Sequence, residues 1–146
     1  MPANTNPIFV LTPDRGVNGG ARITAANTTR DLSSTANTFT LFTAGANGSR
    51  IDAIDWVHSS TGVTASVATV GRLFQCSDGS FSNPRLIREI SLPAITPNQT
   101  ATIGQTQTMT FTTPLVLPAN YTLIVTIGTA QSAGNYYDVT AYAGDY

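Results

Sequence analysis

Alternation with a period of two residues recurs along this chain, and a helical period does not. The clearest case is Asn37 to His58, NTFTLFTAGANGSRIDAIDWVH. Its first half places Phe39 and Leu41 on one side of a strand and Thr38 and Thr40 on the other. Asn47-Gly48 then supplies a turn dipeptide, because both residues tolerate positive φ. The stretch reads as a strand, a tight connection and a second strand, a hairpin-like unit around which the other strands pack. The second strand, Arg50 to His58, has apolar residues on both faces. Ile51, Ala53 and Val57 share one face; Ile54 and Trp56 share the other. Either the strand is covered on both sides, or a bulge near Ala53 flips the pleat. Asp52 and Asp55 argue against full burial, which favours a bulge or a partly covered outer face.

Further runs with the same period lie at Ala21–Ala25, Ala65–Cys76, Arg85–Leu92, Thr100–Thr113, Tyr121–Ile127 and Tyr136–Ala143. Tyr121–Ile127 is the most regular, with Tyr121, Leu123, Val125 and Ile127 on one face. Turn-rich segments such as Ser77–Pro84 separate the runs. About eight short strands with turn signals between them predict an all-β, antiparallel two-sheet β-sandwich, jelly-roll-like. Residues 1–20 differ in kind. Pro2, Pro7 and Pro13 suppress helix, Gly16, Gly19 and Gly20 interrupt strands, and only Ile8-Phe9-Val10-Leu11 is apolar. The expected organisation is an irregular N-terminal arm over 1–20 and one sandwich domain over 21–146. An arm with a single apolar anchor suits a neighbouring chain or a sheet edge.

Composition supports the same class. The chain has 24 Thr, no Lys and one Glu, and 10% charged residues, against about 25% in typical domains. Thr is β-branched and suits a half-solvated pleated surface. Lys and Glu, which favour long surface helices, are nearly missing. The net charge is −1 and the seven Arg are scattered, which argues against a nucleic-acid footprint, since that needs clustered positive charge. No apolar run approaches the roughly 20 residues of a membrane span, and the first residues do not read as a signal peptide. The single Cys76 excludes an internal disulfide and, at the end of an apolar run, reads as a buried core thiol.

Catalytic sets are excluded largely by counting. His58 is the one histidine, so any triad or Cys–His pair must use it, with Cys76 as the one thiol. Neither sits in a nucleophile motif. Asp52 and Asp55 fall on opposite strand faces unless a bulge intervenes, and Asp14, Asp31, Asp78 and Asp145 read as turn or tail residues. No metal-ligand spacing or phosphate loop is present, so neither cofactor nor metal is expected. Asn27, Asn98 and Asn120 begin glycosylation-type triplets, which a chain this rich in Asn and Thr produces by chance. Tyr136, Tyr137, Tyr142 and Tyr146 cluster near the C-terminus, and Tyr offers contact area and a hydroxyl at low entropy cost. The candidate interface set is therefore Ile8, Phe9 and Val10 in the arm, Trp56 on the second strand, and these four tyrosines. Trp56 and Ile54 serve either the core or an interface.

Three stretches carry a family resemblance: TLFTAGANGSRID (40–52), LPANYTLIVTIGTA (117–130) and DVTAYAGDY (138–146). Together they resemble small β-rich virion structural proteins of tailed bacteriophages. The resemblance implies a non-catalytic capsid decoration or cement protein, a β-sandwich homotrimer seated on the outer shell at symmetry axes. It implies synthesis in the host cytoplasm, residence on the capsid surface, and two partners: further copies of itself and the major capsid protein. Neither nucleic acid nor membrane enters. The second reading is a tail-associated receptor- or glycan-binding module, which would show a solvent-facing pocket lined by Tyr136, Tyr137 or Trp56.

Overall fold

The alternating runs form nine strands in the computed structural model, which describes residues 12–14, 20–98 and 104–146. They are β1 (Thr12–Asp14), β2 (Gly20–Ile23), β3 (Phe39–Thr43), β4 (Ser49–Ser60), β5 (Thr69–Cys76), β6 (Arg85–Leu92), β7 (Thr106–Leu117), β8 (Thr122–Ile127) and β9 (Asn135–Asp145). None of the described residues is helical. Every strand pair is antiparallel.

One sheet has the order β2-β9-β4-β7, with β1 pairing β9 beside β2; the other has the order β3-β8-β5-β6. Except at the β5–β6 hairpin, each connection from β2 onward crosses between sheets. This is the eight-stranded jelly-roll arrangement, so the expected sandwich is the observed one. The 44–48 connection is one such crossing. β3 pairs only β8, while β4 pairs β9 and β7, so Asn37–His58 is not a hairpin. The expected irregular arm also contains structure: Thr12–Asp14 pairs with Asp145–Ala143 at the end of β9.

β4 is the central strand of its sheet, and a bulge decides which way its side chains point. Its register on β9 runs Ile51↔Ala143 and then Ala53↔Tyr142, leaving Asp52 as the extra residue. The pleat flips there, as the sequence suggested. Ile51, Ile54 and Trp56 therefore all reach the core, and Asp52 stays exposed. A second bulge lies at Leu41, where the β3–β8 register shifts between Thr40 and Phe42. It buries both Leu41 and Phe42, which simple alternation does not predict.

The core between the sheets contains Ile51, Ile54, Trp56, Leu73, Leu123, Val125, Ile127, Tyr137 and Val139 among others. Trp56 crosses the gap to the opposite sheet. A Cβ built on Gly71 of β5 would lie 3.0 Å from Trp56 Cη2 and 3.0 Å from Ile90 Cγ2, so the missing side chain makes the space for the indole. The isolated β8 alternation concealed a second burial. All six residues of β8 are buried, because Ile124 packs with Phe74, Cys76 and Leu32 beneath the 24–38 segment. That segment forms a strap across the outer face of the β3-β8-β5-β6 sheet.

Removing the extra residue tests the bulge. Deleting Asp52 should turn Ile51 and Arg50 to the wrong faces and cost several kcal/mol, on the order of 3–5. Asp52→Ala, which breaks only the exposed Arg50–Asp52 pair, should stay within about 0.5 kcal/mol. Urea denaturation compares the two; equal losses would contradict the bulge assignment.

Candidate interaction face

The two sheets differ in what covers their outer faces. The β3-β8-β5-β6 sheet carries the strap, held by a dense set of bonds. The buried Asn27 side chain donates to the Ser34 and Ala36 carbonyls, both at 2.8 Å, and accepts from the Thr29 amide and hydroxyl. Its backbone amide donates to the Ile127 carbonyl. Arg72, nearly buried, donates to the Asn27 carbonyl at 2.9 Å and pairs with Glu89, which also pairs with Arg30. Asn27 is thus a structural residue, and its triplet has no free amide to modify. Cys76 lies under the strap, and burial raises its thiol pKa, with the Asp78 charge adding to the effect. The core-thiol reading holds.

The β2-β9-β4-β7 sheet has no such cover among the described residues. Its outer face presents Ala53, Asp55 and Val57 from β4, Tyr136, Asp138, Thr140 and Tyr142 from β9, Thr108 from β7 and Arg22 from β2. Those of β4 and β9 are half-buried. The charges on this face are paired within it. Arg22 makes a two-point contact with Asp138 at 2.7 and 3.2 Å, and its Cζ lies 4.1 Å over the Tyr136 ring. Asp55 accepts from Thr108 at 2.6 Å and from the Tyr142 hydroxyl at 2.8 Å. Such a face presents methyls, aromatic carbon and hydroxyls, with its few charges already satisfied, as protein contact surfaces do.

The candidate residues distribute unevenly. Tyr136 and Tyr142 lie on this face. Trp56 and Tyr137 do not: both are fully buried between the sheets. Their assignment to an interface is corrected to the core, because the Asp52 bulge turns Trp56 inward and Tyr137 lies opposite His58 on the inner face. Burial raises the Tyr137 phenol pKa. The tyrosine cluster is split because β9 is a regular strand, so neighbours in sequence face opposite ways. Ile8, Phe9 and Val10 lie outside the described residues.

Tyr146 belongs to a different unit. Its amide donates to the Gly48 carbonyl, and its carbonyl accepts from the Asn47 side chain. Beside it, the Asp145 carboxylate accepts a short hydrogen bond from the buried Ser49 hydroxyl and another from the Gly45 amide. A Cβ on Gly45 would lie 2.7 Å from Asp145 Oδ2, and one on Gly48, at φ 86°, would lie 2.6 Å from the Leu117 carbonyl. The 44 amide donates to the Tyr121 carbonyl. The three resemblance-bearing stretches therefore converge on one end of the sandwich and lock it.

His58 and Cys76 do not meet. Cys76 pairs with Thr122 and Thr43 pairs with the same residue, which places Cys76 at the Ser49 end of the sandwich. His58 is nine residues further along β4, about 30 Å at strand rise. Its Nε2 lies 3.0 Å from Asn135 Oδ1, and its ring meets Tyr137 edge-on at 5.6 Å. Asn135 Nδ2 donates to the Thr64 carbonyl and to Ser132 Oγ, so its Oδ1 is the acceptor for His58. The group ties loops together. Among the described residues, no three His, Cys, Asp or Glu side chains cluster as metal ligands would, and no helix is long and apolar enough to cross a membrane. Two open depressions of about 310 Å³ each lie on the strapped sheet, one lined by Thr69, Arg72 and Thr129, the other by Gln75, Arg85 and Tyr121.

Comparison with known proteins gives little. No protein-family model matches the chain, and no curated protein matches it. Among solved structures, an Eiger TNF from S. frugiperda is similar with a TM-score of 0.37 and 9% identity over 92% of this chain and 91% of that one. A chain from a structure of infectious bursal disease virus, Gt strain, is similar with a TM-score of 0.30 and 15% identity, over 92% of this chain and 32% of that one. Neither likeness is strong enough to carry a functional argument.

His58 predicts a pH dependence. Burial lowers its pKa from the ordinary 6.5, partly offset by its bond to Asn135. The folded chain binds this proton more weakly than the unfolded chain does, so stability falls as pH drops through and below about 6.5. Urea midpoints at about pH 7.5 and about pH 5 should differ in the wild type and differ less in His58→Gln. An unchanged difference in the variant would assign the dependence elsewhere.

Proposed function

We propose that this chain is a non-catalytic virion structural protein, a phage capsid decoration or cement protein that binds the outer shell as a symmetric oligomer, a homotrimer, and stabilises it. The observation that carries this reading is the asymmetry of the sandwich. One outer face is closed by the chain's own strap, and the other has no such cover among the described residues, its charges paired and Tyr136, Tyr142, Val57 and Ala53 half-buried on it. A second protein surface, the major capsid protein, is the occupant that suits it. The resemblance of the three locking stretches to phage virion proteins supports the same reading.

The glycan-binding alternative has lost most of its aromatics. Trp56 and Tyr137 are core residues, and the Tyr136 ring carries Arg22 over one face. The two depressions described on the other sheet include a single aromatic, Tyr121.

A cryo-EM map of intact particles tests the proposal. Density for this chain is expected on the outer shell at three-fold or quasi-three-fold positions, with the β9-β4-β7 face toward the shell. Density only at the tail tip would overturn it.

A further inference from the structure

Most charged side chains of the sandwich are spent on its own fold, and one is not. Arg22, Arg30, Arg50 and Arg72 are ion-paired, and Arg88 donates to the Thr110 carbonyl. Arg85, the first residue of β6, has no partner among the described residues. It lines the depression of about 310 Å³ together with Gln75, Ser77, Asn83 and Tyr121.

Strand register explains the grouping. Arg85 pairs directly with Gln75 on β5, and Gln75 pairs with Leu123 on β8. Residues opposite one another share a face, and alternation puts Tyr121 on the face of Leu123. This is the face that sends Leu73 and Leu123 into the core. β5 ends at Cys76, while β6 and β8 begin at Arg85 and Thr122, so the group sits at the rim where these strands run out. Gln75 and Tyr121 are half-buried, and neither the carboxamide nor the hydroxyl has a partner among the described residues. Asn83 Nδ2 donates to Ser77 Oγ at 3.2 Å, which leaves Asn83 Oδ1 to accept.

The 77–84 loop that carries Asn83 is held in place. Asp78 accepts from the Ser80 and Ser82 amides at 2.9 and 3.1 Å, so the one carboxylate of this loop is occupied within its own turn. Ser77 Oγ donates to the Ser82 carbonyl, and Thr122 Oγ1 donates to the Asp78 carbonyl at 2.7 Å. The other depression differs, because its Arg72 is committed to Glu89 and to the Asn27 carbonyl.

A guanidinium is a planar fork of donors that fits a carboxylate. One unopposed positive charge balances one negative charge, and a phosphate would bring more than one. Carboxamides and a phenol both donate and accept, and so match hydroxyl groups. The volume lies at the low end of small-molecule sites, which start at about 300 Å³. We propose that this depression binds a small hydroxylated carboxylate of the sugar-acid class. Arg85 takes the carboxylate, and Gln75, Asn83 and Tyr121 take the hydroxyls. Recognition is by charge and hydrogen bonds and needs no aromatic platform. The site belongs to the sheet opposite the β9-β4-β7 face, so it does not depend on shell binding.

Titration of the isolated chain with D-glucuronate, by calorimetry and by backbone amide chemical shifts, tests the site. The wild type should bind saturably, with a Kd on the order of 1 mM, and the shift changes should fall at 75–85 and 121. Arg85→Gln should weaken binding at least tenfold. Arg50→Gln, which removes an exposed arginine of the other sheet, should leave it unchanged. D-Glucose, which lacks the carboxylate, and inorganic phosphate should each bind the wild type at least tenfold more weakly. The urea midpoint reports whether each variant folds, and the wild-type shifts locate the site without any variant. Absence of saturable binding, shift changes elsewhere, or equal affinity in Arg85→Gln would overturn the site. Glucose or phosphate binding as tightly as glucuronate would overturn the carboxylate assignment.

Discussion

One extra residue in the central strand sets the rest of the sandwich. Without the bulge at Asp52, a strict period of two would send Ile51 to one face of β4 and Ile54 and Trp56 to the other. With it, all three enter one core, and Trp56 fills the space opposite Gly71. The outer face of β4 is then left to Ala53, Asp55 and Val57, residues too small or too polar to form a second core. The same bulge that completes the interior therefore makes the exterior of this sheet a mild, mixed surface. Burial of the indole is a large contribution, since aromatic side chains dominate core energetics.

The opposite sheet solves the same problem differently. Its outer face carries Phe74, Cys76 and Ile124, which need cover, and the 24–38 strap provides it with Leu32. Asn27 holds the strap's shape with its side-chain amide, and Arg72 holds the strap to the sheet. A chain that covers one sheet so thoroughly leaves a clear contrast with the other. At the Ser49 end, Gly45 and Gly48 allow the turn to sit against Asp145 and Leu117.

The fold class was legible because alternation, turn residues and a Thr-rich, Lys-free composition all pointed the same way. The Asp52 bulge was legible because two apolar faces and two carboxylates on one strand conflict unless the pleat flips. The Leu41 bulge was not, since FTLFT satisfies simple alternation if Phe42 is ignored. Pairing was also hidden: Asn47-Gly48 marks a turn, but a turn does not say whether its strands share a sheet. Burial of both faces of β8 depended on the strap, a polar loop by composition whose single Leu32 carries the contact. Of the interface candidates, Tyr136 and Tyr142 reached the bare face, while Trp56 and Tyr137 were claimed by the core, because strand parity separates adjacent residues.

The proposed role rests on the face that the described residues leave without a strap, and chemical footprinting reads it directly. Hydroxyl-radical oxidation of the isolated chain and of the chain on intact particles compares the same side chains in both states. Contact through this face predicts that Tyr136 and Tyr142 lose reactivity on the particle while the exposed Leu86 of β6 keeps it. Equal reactivity of both tyrosines in the two states would contradict it.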